Sequence, residues 1–370
     1  MNYKETLFFV AKCLTINHEE HNKIIVENLL KSNAVDWDAV VKLSTAHYVF
    51  PALYCNLKRA SFLSYLPEEL VEYMKYITDL NRDRNKEIIE QAKELNELLL
   101  QNKITPIFLK GTGNLLEGLY EDIGERMVGD IDFIFSEKDC EKTNLLLIKN
   151  GYSKVDGLVD VPQEHRHLPR LIKDNRIAAI EIHKKLTIEK YSDEFNYNFI
   201  KNNCQKFNEI TVMSFENQLS LSIISQQIND HGIHYKNISL RNSYDVFLLS
   251  KKVKPKNIFN QFHKLRNPLN NFLASCFEVF NKPKILLYNS TKETAIYLTF
   301  FNKHLNNSEL RKRHQRKTKN IILIKDLSNI LYKIFFDKSH RLWFFKRVAN
   351  KNWRHEKMIQ LGLKKSKLNF

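Results

Sequence analysis

Asp130 and Asp132 carry the plainest chemical potential in this chain, within Arg126-Met127-Val128-Gly129-Asp130-Ile131-Asp132-Phe133-Ile134-Phe135. On a strand, side chains two apart share a face, so both carboxylates point one way while Ile131 and Phe133 point into a core. Two carboxylates fixed close together repel, and a divalent cation between them relieves the repulsion; magnesium suits oxygen ligands best. Upstream, Leu109-Lys110-Gly111-Thr112-Gly113 follows a short apolar run from Ile104 and precedes Leu115, Leu116, Leu119 and Tyr120 at helical spacing. That pattern reads as strand, tight turn and helix. A glycine turn opening a helix offers backbone N–H groups and a positive helix end to phosphate. A third acid, Glu181, stands downstream in Ile180-Glu181-Ile182-His183. Phosphate cradle and three carboxylates together equip a chain for two-metal phosphoryl or nucleotidyl transfer.

Three separated motifs in this order resemble the nucleotidyltransferase superfamily of polymerase-beta-like fold. Its signature is a glycine followed by Gly or Ser at a helix start, Asp-x-Asp or Asp-x-Glu on the next strand, and an acid on a later strand. More closely, Leu109-Lys110-Gly111, Arg126 ahead of Asp130-Ile131-Asp132, and Glu181-Ile182-His183 are similar to the bacterial group described as uncharacterised nucleotidyltransferases, over roughly residues 30 to 250. Two positions depart from the wider pattern. Thr112 replaces the usual Gly or Ser while keeping a hydroxyl, and the gap from Gly111 to Asp130 is longer than in compact members.

The resemblance implies an α+β fold, a small mixed-sheet nucleotidyltransferase core flanked by N-terminal and C-terminal helical regions. It implies transfer of a nucleoside monophosphate from an NTP such as ATP to a hydroxyl, with release of pyrophosphate. Two Mg2+ ions, or Mn2+ in their place, would be held by Asp130, Asp132 and Glu181, with Glu181 and Asp132 also helping to deprotonate the acceptor. Lys110, Gly111, Thr112 and Arg126 would bind the triphosphate, Arg126 through its planar fork. His183 and Asp245 are candidate contacts to acceptor or nucleotide, Asp245 on a helical part that, with Arg241, covers the nucleotide site in relatives.

The positioning elements follow from periodicity. Residues 1–100 read as an N-terminal helical region: a stripe from Trp37 to Phe50 that ends before Pro51, with His47 and Tyr48 in the packing, then Val71 to Leu99 as one long or two consecutive helices. Residues 101–200 form the core. It holds a helix from Lys138 to Asn150, a short strand at Tyr152 to Val155, and a hairpin whose arms run from His165 to Ile172 and Ile177 to His183 around an Asp174-Asn175 turn. Glu181 and His183 share one face of the second arm. Glu181 reaches the aspartates if this arm lies beside their strand. Residues 201–250 read as the helical cover, broken at His231-Gly232, and residues 251–370 as a strongly basic helical C-terminal region.

Charge divides the chain. Residues 1–250 hold 30 lysines and arginines against 36 acids, net −6, while the remaining 120 hold 28 against 6, net +22. Basic clusters at Lys251-Lys252, Arg311-Lys312-Arg313, Arg316-Lys317 and Lys364-Lys365 with Lys367 alternate with aromatic runs such as Leu331 to Phe336 and Leu342 to Phe345. Such a surface suits RNA or tRNA through counterion release and base stacking. A peripheral anionic membrane is the rival partner, and a solvated basic face over an apolar core is the plain reading. Five cysteines lie far apart without a C-x-x-C pair, which fits a reducing cytoplasm and excludes a common zinc or redox motif. His165 and His167 lack a second ligand pair for zinc. The Leu7 to Ala11 run is too short for a signal peptide, and no stretch reaches the roughly 18 apolar residues of a membrane span. Two further function classes stay open: a catalytically silent nucleic-acid-binding module, and a membrane-surface accessory protein of envelope polysaccharide synthesis.

Overall fold

The computed structural model describes residues 1–155 and 165–360. Four helices lead: α1 (Tyr3–Cys13), α2 (Glu20–Lys31), α3 (Trp37–Ala46) and α4 (Phe50–Arg59). Pro51 sits in the first turn of α4 rather than ending a helix before it. Proline fits the first helical turn because the N–H it lacks has no intrahelical partner there. Tyr48, expected in the packing, is 51% exposed and left-handed, with φ 55°; the Arg241 guanidinium covers its ring, 4.9 Å from the centroid. α5 (Glu68–Gln101) is one helix of 34 residues, about 50 Å long.

β1 (Ile107–Phe108), α6 (Lys110–Leu116), β2 (Asp130–Ile134), α7 (Glu137–Lys149), β3 (Ser153–Lys154), β4 (Leu171–Ile172) and β5 (Ala179–His183) follow as expected. Then come α8 (Tyr197–Ile200), β6 (Cys204–Phe207), β7 (Ile210–Met213), α9 (Phe215–Ile224), α10 (Gly232–Tyr235) and α11 (Leu240–Ser250). Seven strands form one mixed sheet in the order β3-β4-β5-β2-β1-β7-β6. The sheet therefore draws two strands from beyond residue 200, where helix was expected. β7 is buried at all four positions and pairs in parallel with β1.

Amide side chains on α5 hold the sheet's approach loops. Asn81 donates to the carbonyls of Gly124 (2.8 Å) and Arg126 (3.2 Å), and Asn85 to those of Ile123 (2.6 Å) and Arg126 (2.7 Å). Gln91 donates to the Ala178 carbonyl at 3.0 Å and accepts from the Ala178 N–H at 3.1 Å. A buried polar side chain must be satisfied, and these four partners lie just before β2 and β5, the strands that carry the acids.

α12 (Pro255–Ile258), α13 (Arg266–Val279), α14 (Lys292–Asn306), α15 (Ser308–Phe336), α16 (Lys338–Ala349) and α17 (Lys351–Gln360) complete the described chain. Packing divides the chain later than charge does: α13 is buried along ten of its residues, whereas Thr318 is the buried residue of α15. α2 clasps the end of α13, with Asn22 donating to the Phe280 carbonyl at 2.9 Å and Asn281 donating to Asn22 at 2.8 Å. No helix among the described residues is long and apolar enough to cross a membrane. The Lys364-Lys365 cluster lies outside the described residues.

Candidate active site

Strand register assembles the acids. β2 and β5 run parallel with Asp130 opposite Ala179, Asp132 opposite Glu181 and Ile134 opposite His183. Opposed residues on neighbouring strands present side chains to the same face, so Asp132, Glu181 and His183 converge while Ile131, Phe133, Ile180 and Ile182 fill the core behind them. β1 is antiparallel to β2, pairing Ile107 with Ile134 and Phe108 with Phe133. That register brings the residues after β1 level with Asp130 to Asp132, and the Leu109 N–H bonds the Asp132 carbonyl at 2.9 Å. The α6 turn thus abuts the acids.

One ligand atom each from Asp132, Glu181 and His183 lies within 4.8 Å of the others, and all three residues are buried. Two oxygen donors and one imidazole at this separation fit a divalent cation. The Lys110 ammonium stands among them, 2.7 Å from Asp132 Oδ1 and 3.8 Å from Glu181 Oε2. His183 Nε2 is 2.8 Å from Asp132 Oδ1 and 3.5 Å from Glu181 Oε2. Arg170 bridges the remaining acids, its Nε 2.5 Å from Glu181 Oε1 and its Nη2 3.1 Å from Asp130 Oδ2. Asp130 is thus linked to the buried cluster through a guanidinium and stands outside it.

Electrostatics follow this geometry. Burial is the largest influence on Glu181 and works to raise its carboxyl, but the His183 hydrogen bond with Lys110, His167 and Arg170 outweighs it and holds the group well below the usual carboxylate range. Asp132 is likewise held down: burial works against ionisation and is outweighed by Lys110 and His183. Asp130 moves the other way, raised chiefly by burial against the pull of Arg170. Environments that separate the behaviour of neighbouring carboxyls also separate their roles.

Other expected site residues lie apart from this cluster. Thr112 is buried and its hydroxyl donates to the Asp130 carbonyl at 2.9 Å, tying α6 to β2. Arg126 and Asp245 meet each other: Arg126 Nε lies 3.0 and 3.1 Å from the two Asp245 oxygens, and Nη2 lies 2.9 Å from Oδ2. Tyr120 donates to the same carboxylate at 2.7 Å. Gly111 packs against Val128 and Arg126, since a Cβ there would meet Val128 Cγ2 at 2.8 Å and Arg126 Cζ at 3.5 Å. Gly111→Ala is expected to cost about 1–3 kcal/mol by overpacking, read as a lower denaturation midpoint, with Val128→Ala in the same chain recovering part of the loss.

Lys110, expected on phosphate, instead neutralises the acids here, and Arg170 was not singled out from the sequence. The signal for Arg170 was available in the hairpin, because Leu171 pairs with Ile180 and its preceding residue must neighbour Glu181. Arg166 also faces the cluster. Burial lowers its guanidinium, against the attraction of Asp230, Glu181 and Asp132.

A family model described as "Uncharacterised nucleotidyltransferase" matches residues 33–277. The chain belongs to this nucleotidyltransferase family. No curated protein and no solved structure matches it. The matched span contains the whole sheet and every member of the acid cluster, so family and geometry point to the same enzyme, a nucleotidyltransferase whose buried acids fit a divalent metal. Two of its imidazoles are shifted by the fold. Burial lowers His47 and His167 to about 4 each, and His47 Nδ1 accepts the Leu240 N–H at 3.2 Å, which requires it to be unprotonated. Folded values below the ordinary 6.5 mean that the unfolded nucleotidyltransferase binds more protons between pH 4 and 6.5, so stability falls as pH drops through that window. The urea midpoint at pH 5 is expected to lie below that at pH 7.5, and His47→Gln to flatten the difference.

Proposed function

We propose that this nucleotidyltransferase moves a nucleoside monophosphate from an NTP to a hydroxyl acceptor and releases pyrophosphate. Asp132, Glu181 and His183 would hold a divalent cation, Mg2+ or Mn2+, with Asp130 at its edge. The imidazole in this set favours Mn2+ more than three carboxylates would. When bound, the ion supplies charge stabilisation to the transferring phosphoryl group. Lys110 and Arg170, which neutralise the acids, would turn to the triphosphate oxygens as the cation takes over that task, and Arg166 and the amides at Gly111 and Thr112 would add to the same electrostatic frame.

The acceptor oxygen bonds to the α-phosphorus as the bond to the pyrophosphate oxygen breaks. The acceptor's proton passes to a carboxylate, and Asp130 is the best suited, being raised and partly exposed where Glu181 is held ionised. Residues 101–200 supply these groups, and residues 201–250 cover the nucleotide. Arg126 and Asp245 act by positioning the α6 turn. Acceptors of two classes fit, an RNA such as tRNA and a small molecule or glycan precursor.

The observation that carries this reading is the parallel pairing of Asp132 with Glu181 beside the α6 turn. Its test incubates the protein with each α-labelled NTP, Mg2+ or Mn2+, and either total RNA or a protein-free small-molecule extract. Label on an acceptor, matched by pyrophosphate and absent from Asp132→Asn, is expected. Failure to label either acceptor class with any of the four nucleotides, or equal labelling by the variant, would overturn it.

A further inference from the structure

We propose that the α15–α16 hairpin is a peripheral membrane-binding element whose ligand is an anionic lipid surface. The reading is independent of nucleotidyl transfer. α15 runs 29 residues with Thr318 as its buried residue, yet its C-terminal half is rich in large apolar side chains. Ile324 is 63% exposed, Leu331 56%, Phe335 74% and Phe336 76%, and Phe345 of α16 is 60% exposed. Ile324, Leu331 and Phe335 are separated by seven and four residues, so they return to one side of the helix. The plain reading of the basic region, a solvated charged face over an apolar core, therefore fails for this hairpin, because much of its apolar surface is outside.

Charge selects the occupant. Residues 308–360 hold fifteen lysines and arginines against four acids. A second copy of the hairpin would bring the same excess of positive charge and repel. A nucleic acid would satisfy the cations, but aliphatic Ile324 and Leu331 cannot stack on bases as aromatic rings do. An anionic bilayer interface answers both features together, taking the apolar strip below the headgroups while lysines and arginines meet lipid phosphates. The hairpin would lie on the membrane, since no described helix can span one.

The test sediments the full-length protein with vesicles of phosphatidylcholine alone or with roughly one third phosphatidylglycerol, at low and physiological salt. Pelleting with the anionic vesicles is expected, weakening as salt screens the charges. A Leu331→Glu/Phe335→Glu variant, altered at exposed positions, should keep its melting temperature and bind at least about a hundredfold more weakly, from two lost apolar insertions. No pelleting at low salt, or pelleting unchanged by the variant, would overturn the proposal. So would a lipid-free dimer in light scattering that the variant dissolves, or tRNA binding that the variant abolishes, since either would assign the apolar strip to another occupant.

Discussion

Asp132→Asn is expected to lower nucleotidyl transfer by about a thousandfold or more, the rate equivalent of losing several kcal/mol of charge stabilisation at the reacting phosphate. The substitution keeps shape and hydrogen-bonding capacity but removes the charge that Lys110 and His183 share at 2.7 and 2.8 Å. Glu181→Gln should act in the same direction and to a similar extent, because register places it opposite Asp132. Asp130→Asn should cost less, because Asp130 stands outside the buried cluster. Single-turnover label transfer with excess enzyme measures all three, and retention of a tenth of the parent rate by Asp132→Asn would remove that residue from the site.

Asp245→Ala should have its main effect on stability. Arg126 has a side chain 9% exposed and Asp245 one 2% exposed, so removing the carboxylate leaves a buried guanidinium without its counter-charge, beside the Met127 carbonyl at 2.8 Å and the Tyr120 hydroxyl. Breaking one side of a buried ion pair costs about 3–5 kcal/mol, and the urea midpoint should fall accordingly. Below the variant's unfolding range the transfer rate should stay within about tenfold, the change attributable to a shifted α6 turn. A variant with unaltered stability and a strongly raised KM for NTP would instead place Asp245 in contact with nucleotide.

These expectations also mark where sequence was sufficient. Asp130-Ile131-Asp132 and Ile180-Glu181-Ile182 were legible because strand alternation is local, and one face must be apolar if the other carries charge. Their adjacency was not legible, since it depends on β5 crossing to lie parallel to β2. The pairing of Arg126, expected on phosphate, with Asp245 was not legible, because its partner is 119 positions away and a lone arginine near a glycine turn carries no sign of such a pairing. The β6–β7 hairpin escaped notice for a different reason. Its turn residues Asn208 and Glu209 both have positive φ, 46° and 64°, but Asn-Glu lacks the glycine that normally announces such a turn. β7 shows no alternation because it is buried throughout. In the basic region, helix was expected and is found, but the exposure of its apolar side chains was not legible, because a run of apolar residues does not say what covers it.

The clasp between α2 and the end of α13 bears on how the polypeptide can be shortened. Asn22 and Asn281 are joined by a hydrogen bond across 259 positions, so the first and later thirds of the chain close on each other. A fragment trimmed to residues 33–277 would discard Asn22, Phe280 and the α1 residues Leu7, Phe9 and Val10, all of which belong to the buried core. Such a fragment would emerge with raw greasy surface and should precipitate on expression, whereas a cut after Asn306 spares the clasp and gives up contacts of α15's first turns, among them Arg311 over the Tyr3 ring at 3.6 Å and His314 on the His234 carbonyl at 2.9 Å.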